Sequence, residues 1–166
     1  MKFLINSWCF IKSIRYMQLV GTSGDSMSPS LLHGDILVTL KLPHFEKNIQ
    51  RHSIVICAPT WRNGKYDIKR ITGLPLDNVI LDKYDQVIVS ESYLQHDSSD
   101  INRDLDLKKH WHLNEEEYFI TGDNSSMSTD SRSKGPINKK YLKGVVVYRI
   151  WPLHKTGGVE DLDITA

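Results

Sequence analysis

Cysteine is scarce: the 166-residue chain holds two, Cys9 and Cys57, too few for a disulfide framework. Cys57 lies inside Ile54-Val55-Ile56-Cys57-Ala58 and reads as a small buried hydrophobe. A surplus of one charge is missing too. The formal net charge of +1 argues against the strongly basic face of a nucleic-acid binder. Seven histidines are scattered, and His110-x-His112 lacks a cysteine or carboxylate set at metal-binding spacing. No metal and no small-molecule cofactor is therefore expected. Without internal repeats or low-complexity tracts, the length suits one domain, alone or with a short appendage.

Long hydrophobic runs are also lacking. Met1 to Val20 is apolar in stretches, but Asn6, Ser7, Lys12, Ser13, Arg15 and Gln18 interrupt it. No window reaches the ~20 nearly uncharged apolar residues that cross a bilayer. Nor does the segment follow a signal-peptide layout of basic start, apolar core and small-x-small site. What it has is a stripe of Leu4, Trp8, Ile11, Ile14 and Met17 at helical spacing, beside Lys2, Lys12 and Arg15. This predicts a short N-terminal helix over residues 1–20, either lying in a membrane interface or packed on its own domain.

After Val20 no long amphipathic helix intervenes between apolar runs, which excludes a parallel βαβ sheet. Short β-branched and aromatic runs are present instead: 34–40, 53–57, 65–71, 78–81, 86–89, 117–121 and 144–150. Pro43, Pro59-Thr60, Arg62-Asn63-Gly64, Leu74-Pro75 and Lys83-Tyr84-Asp85 punctuate them. The fold class is all-β, mostly antiparallel, over residues 21–152. The charge-rich, weakly periodic stretch 95–112 reads as a surface insertion, and 153–166 as a C-terminal tail.

Three segments carry chemistry. Gly24-Asp25-Ser26-Met27-Ser28-Pro29 sets a serine in a small-residue turn where a backbone N–H can face a developing oxyanion. A serine hydroxyl is a poor nucleophile until a base takes its proton. Tyr66-Asp67-Ile68-Lys69-Arg70-Ile71 offers that base, since strand alternation turns Lys69 away from Ile68 and Arg70. A lysine acts as a base only when burial lowers its pKa. Alone, Ser26 reads as an ordinary turn serine and Lys69 as a lysine snorkelling to the surface. The third segment, Thr121 to Pro136, is dense in residues that bond their own backbone and predicts a rigid loop after a strand. Within it Asp130 and Arg132 suit a fixed ion pair, and Ser128 suits an orienter of the lysine amine.

Together these segments resemble the type I signal peptidase family, which includes bacterial leader peptidases and mitochondrial inner-membrane peptidases. The likeness runs from about Gly21 to Pro152. It rests on Gly24 to Pro29, Gly34-Asp35-Ile36-Leu37, Lys69 to Pro75, Gly122-Asp123-Asn124 with Ser128-x-Asp130-Ser131-Arg132, and Tyr148-Arg149-Ile150-Trp151-Pro152. Glu91-Ser92-Tyr93-Leu94 is similar to the segment after the family's central hairpin. The resemblance implies a signal-peptidase/LexA-like β fold and a serine endopeptidase that removes signal or leader peptides from exported precursors. Its partners would be those precursors and a membrane surface. The site would face the extracytoplasmic or mitochondrial intermembrane-space side.

By the same resemblance Ser26 is the nucleophile and Lys69 the general base. Ser128 positions the amine, Asp130 and Arg132 brace the site, and the Ser26 backbone N–H is one oxyanion donor. The chain departs from the family in three places. Gly24 stands where some members carry a serine hydroxyl as second donor, leaving Thr22, Ser23 or a water as stand-ins. Leu76 stands where glycine is usual, which disfavours a left-handed turn. No spanning helix precedes Ser26. Three other readings of the scaffold are a maturation protease of the nickel superoxide dismutase precursor type, a LexA-type self-cleaving repressor, and a catalytically idle binding module. The repressor lacks the Gly-Asp-Asn…Ser-x-Asp-Ser-Arg box, and no DNA-binding domain precedes Ser26.

Overall fold

The computed structural model describes residues 16–41, 49–90 and 107–158. Every run expected as a strand forms one. They are β2 (Ile36–Leu40), β3 (Ile54–Cys57), β4 (Asp67–Gly73), β5 (Asn78–Asp82), β6 (Val87–Ser90), β8 (Glu117–Thr121) and β10 (Leu142–Trp151). Four further strands join them: β1 (Met17–Gly21), β7 (Leu107–His112), β9 (Ile137–Asn138) and β11 (Gly157–Gly158). All pairings are antiparallel. The larger sheet runs β1-β2-β10-β3-β4-β8-β9, with β11 on β10, and the smaller runs β6-β5-β7.

Strand β3 explains the large sheet's centre. Its Ile-Val-Ile-Cys run is buried at all four positions, as an apolar strand flanked on both faces must be. On one face Val55, Cys57, Ile71, Tyr118, Ile120 and Leu142 form a core. On the other Met27, Leu31, Leu37, Ile54, Ile56 and Val146 form a second. The second core matters for the site, because Met27 and Leu31 anchor the serine turn into it. In the first core Cys57 is fully buried, and burial pushes its thiol up to about 12, as expected of an inert hydrophobe. A third cluster, Val79, Leu113 and Phe119, docks the small sheet on β8, with Trp111 tilted 55° against Phe119 at 5.0 Å.

The structure corrects three expectations. Residues 17–20, assigned to the N-terminal helix, are strand: Met17 to Gly21 pair with Leu40 to Ile36. The ladder partner offered by β2 outweighs a helical spacing that only Met17 supports among the described residues; residues 1–15 lie outside them. Residues 107–112, assigned to the surface insertion, form a strand whose backbone pairs with β5. Its Lys-Lys-His-Trp-His run faces water on one side, so its apolar signal is weak; residues 95–106 lie outside the described residues. The start of the tail is pinned: Gly157 and Gly158 pair with Arg149 and Tyr148, and Arg149 Nε donates to the Lys155 carbonyl at 2.8 Å.

Leu76 gives a fourth difference. It keeps a left-handed backbone, φ 70°, despite its side chain. The turn holds it there: the Leu76 N–H donates to the Leu113 carbonyl, Asp77 N–H to Leu74, and Asp77 Oδ2 accepts from the Leu74 N–H at 2.5 Å. Tertiary contacts thus impose a conformation that leucine resists.

Candidate active site

The serine turn is shaped from both ends. Gly24 takes φ +84°, a conformation that favours glycine. Beyond it Ser28 N–H bonds to Asp25 and Leu31 N–H to Met27, closing a tight turn. Ser26 sits at its centre, half-buried, while Met27 and Leu31 dip into the core. Two buried arginines clamp the far side at one residue, Ser30. Arg70 Nη2 donates to Ser30 Oγ at 3.3 Å, and Arg149 Nη1 to the Ser30 carbonyl at 2.9 Å.

Lysine 69 approaches from β4. It is 3% exposed, and its Nζ lies 3.0 Å from Ser26 Oγ. Strand register explains how a core residue reaches the turn. Strand β8 begins to pair with β4 at Arg70↔Thr121, so, among the described residues, 67–69 have a strand neighbour on the β3 side alone. The free edge leaves room for Ser26. Burial lowers the Lys69 pKa from the ordinary lysine value; the nearby Asp67, Cys57 and Asp130 pull it back up, and Arg62 lowers it further. The neutral amine is thereby favoured.

The loop after β8 closes over the pair. Gly122 is required there: a Cβ at this position would lie 2.3 Å from Ser128 Oγ and 2.5 Å from the Ser26 carbonyl oxygen. Asn124 N–H donates to that same carbonyl at 3.0 Å, fixing the loop to the turn. Ser128 Oγ is buried against Gly122 and makes no hydrogen bond of ordinary geometry. Asp130 and Arg132 form the expected ion pair, Nη2 to Oδ2 at 2.5 Å and Nε to Oδ1 at 3.0 Å. Asp130 also accepts from the Gly122 and Arg132 backbone N–H groups. Burial raises its pKa, but the bonds from Arg132 and Gly122 outweigh it and hold the carboxyl below its ordinary value. One short helix, Ser131–Lys134, starts at this carboxylate, and Ser131 Oγ accepts from the Ile120 N–H.

The structure thus brings Ser26, Lys69, Ser128, Asp130 and Arg132 together. It rules on one stand-in for the second oxyanion donor. The Thr22 hydroxyl is committed to the Leu32 carbonyl, with the Asp35 carbonyl at 3.3 Å. Ser23 is exposed on the cleft wall. Among the described residues the Ser26 backbone N–H donates to no acceptor.

Sequence reading assigned no task to several residues that frame the site. Arg70 grips Asp123 with two bonds, 2.8 and 2.7 Å, and donates to the His52 carbonyl. Arg149 pairs with buried Asp35 at 3.1 Å. Arg62 pairs with Asp67 at 2.9 Å. The only signal for the first two pairs was that their members fall in the quoted segments; their pairing is non-local and invisible in local pattern. A cleft of about 220 Å³ opens beside Ser26, between Val20–Gly24 on one wall and Ile56, Arg62 and Tyr66–Ile68 on the other.

The chain is similar in sequence to known proteins. The profile of the family described as signal peptidase, peptidase S26, matches residues 3–151. The mitochondrial inner membrane protease subunit 1 of Mus musculus is 31% identical over 144 residues, 86% of this chain and 75% of that protein. Signal peptidase I V of Bacillus subtilis (strain 168) is 35% identical over 136 residues, 74% of this chain and 79% of that protein. A crystal structure of a signal peptidase I from Enterococcus faecalis V583 covers 58% of this chain and 95% of its own at 27% identity and a TM-score of 0.41. On the family match and these identities, the chain belongs to the signal peptidase family, peptidase S26.

Proposed function

We propose that this protein is a signal peptidase I-like serine endopeptidase in which Ser26 and Lys69 form a catalytic dyad. The observation that carries this reading is a buried lysine, its pKa lowered, 3.0 Å from a turn serine. Neutral Lys69 takes the proton of Ser26 Oγ as the oxygen attacks the scissile carbonyl. The oxyanion is met by the Ser26 backbone N–H, with a second donor from Ser23 or a water. The ammonium then gives its proton to the leaving amine, the C–N bond breaks, and an ester on Ser26 remains. Lys69, neutral again, takes a proton from water, whose oxygen attacks the ester. Returning that proton to Ser26 Oγ releases the acid and restores the enzyme.

The other residues have supporting roles. Ser128 packs beside Gly122 and steers the amine; Asp130 and Arg132 brace the loop that carries it. The cleft beside Ser26 would seat the precursor. Among the described residues, 67–69 have no strand neighbour on the cleft side, which favours an extended peptide lying along them. Val20, Met27, Leu31, Ile56 and Ile68 give the cleft an apolar patch beside Ser26, suited to small side chains before the cut. The proposed substrates are exported precursors bearing signal or leader peptides.

The working place is a membrane surface, on its extracytoplasmic or intermembrane-space side. The names of its relatives support this, one being an inner membrane protease. Among the described residues no helix is long and apolar enough to cross a membrane.

The test is cleavage of a precursor with small residues at the first and third positions before the cut. Ser26→Ala and Lys69→Ala should each abolish it, and an acylating penem should label Ser26. Cleavage retained by either variant overturns the assignment.

A further inference from the structure

Two carboxylate–arginine pairs stand near Lys69, and they differ in kind. Asp130–Arg132 is locked: the aspartate side chain is 1% exposed and the arginine side chain 15%, with the bonds described above. Asp67–Arg62 lies on the cleft wall, its aspartate side chain 11% exposed and its arginine side chain 44%. It is held by a single Nε–Oδ1 contact of 2.9 Å. Asp67 precedes Lys69 by two residues in β4, so both side chains leave the same face, roughly 6.6 Å apart along the strand. No step of the proposed mechanism uses this pair.

The charges facing Lys69 can be enumerated. Asp67 comes from its own strand, Cys57 from β3, Asp130 from the serine-rich loop and Arg62 from the turn before β4. Cys57 is neutral at working pH, since burial pushes its thiol to about 12. Asp130 also favours the ammonium form, from its locked pair with Arg132. On the cleft wall, Asp67 is the anion that favours the ammonium form and Arg62 the cation that opposes it. Because Arg62 is half in water, its hold on Asp67 depends on salt and on whatever fills the cleft.

We propose that the Arg62–Asp67 pair is the adjustable charge control of Lys69: Asp67 is a positioning residue acting through the lysine, and Arg62 tempers it. A peptide seated in the cleft covers the pair and excludes water from it, which strengthens the effect of both charges on the amine. The cleft would then report its own occupancy to the dyad. The inference rests on the dyad reading given above.

The experiment follows Lys69 itself by NMR, in the full chain labelled with ¹³C-lysine. The Lys69 ε-carbon is assigned by its loss in Lys69→Arg. Asp67→Asn removes the anion, so the titration midpoint should fall, by about half a pH unit or more for charges at this spacing. Arg62→Gln leaves Asp67 untempered, so the midpoint should rise. Arg62→Lys keeps the cation and should leave it at the wild-type value. The acid limb of kcat/KM should move in the same order, and a purely structural role would lower kcat without these opposed shifts. Midpoints that do not move, or that move in one direction in both variants, overturn the proposal. Opposed shifts in a chain that cleaves no precursor would sustain it and reject the peptidase reading.

Discussion

The two faces of β4 treat adjacent cations in opposite ways. Arg70 is 4% exposed and fully partnered, with two bonds to Asp123 and others to His52 and Ser30. Lys69 is as deeply buried, at 3%, yet its hydrogen bond goes to a neutral hydroxyl, Ser26 Oγ. Burying a charge is costly unless it is paired and bonded. On one face the partners meet that cost, and the result is a clamp. On the other the cost is left standing, and the result is an amine inclined to shed its proton. Structure and chemistry are separated by one peptide unit.

Methionine at each position should break this contrast most plainly. Lys69→Met should cut precursor cleavage by at least ~10³-fold, the scale of losing a nucleophile's base. It should also raise the melting temperature at neutral pH. The sign follows from the lowered pKa: stability rises with pH from the folded pKa of Lys69 to its unfolded value near 10.4. The gain from Lys69→Met is therefore full below that window and fades as pH climbs through it. Arg70→Met should do the reverse, leaving Asp123 without its partner. A loss of ~3–5 kcal/mol is expected for a broken buried pair, about 10 °C in Tm by calorimetry. Equal effects of the two substitutions on stability would erase the distinction between the faces.

Asp130 sharpens the comparison from the acid side. Its carboxyl is held below the ordinary value, so its contribution is complete above about pH 4 and is lost as pH falls through the folded pKa. Asp130→Asn should cost ~1–3 kcal/mol at pH 7 in denaturant unfolding, with the gap from wild type closing at lower pH. A gap constant with pH would mean the loop does not depend on that charge.

The smallest effect is expected away from the site. Leu76, 45% exposed at φ 70°, meets the left-handed penalty with little burial in return. Leu76→Gly should stabilise by ~1 kcal/mol, read as a shift of the urea midpoint, with cleavage unchanged. Destabilisation instead would show that the leucine side chain is held by contacts that offset its strain.

Much of the molecule was legible beforehand, and the gaps have physical causes. The seven expected strands form because dense β-branched runs punctuated by turn residues have few other low-energy options. Strands β1 and β7 were missed. One is an edge strand with Leu19 67% exposed, the other carries Lys108, Lys109 and two histidines, and both owe their form to a ladder partner. Within the site, Asp130–Arg132 could be foreseen because two residues apart in a tight loop leaves few geometries. Arg149 and Ser30, 119 residues apart, could not.

The order of residue types alone determined the family, the two segments bearing Ser26 and Lys69, and the need for a rigid loop between Gly122 and Arg132. The resemblance of those segments to a known family carries that information, because chemistry restricts which side chains can serve. Only the tertiary structure decided that Lys69 is buried, that its amine meets Ser26 at 3.0 Å, and that Thr22 is spent on the Leu32 carbonyl. It alone set the pairs Arg70–Asp123, Arg149–Asp35 and Arg62–Asp67. Those outcomes depend on strand register and on where β8 stops pairing with β4, which join residues far apart in the chain and leave no trace in local pattern.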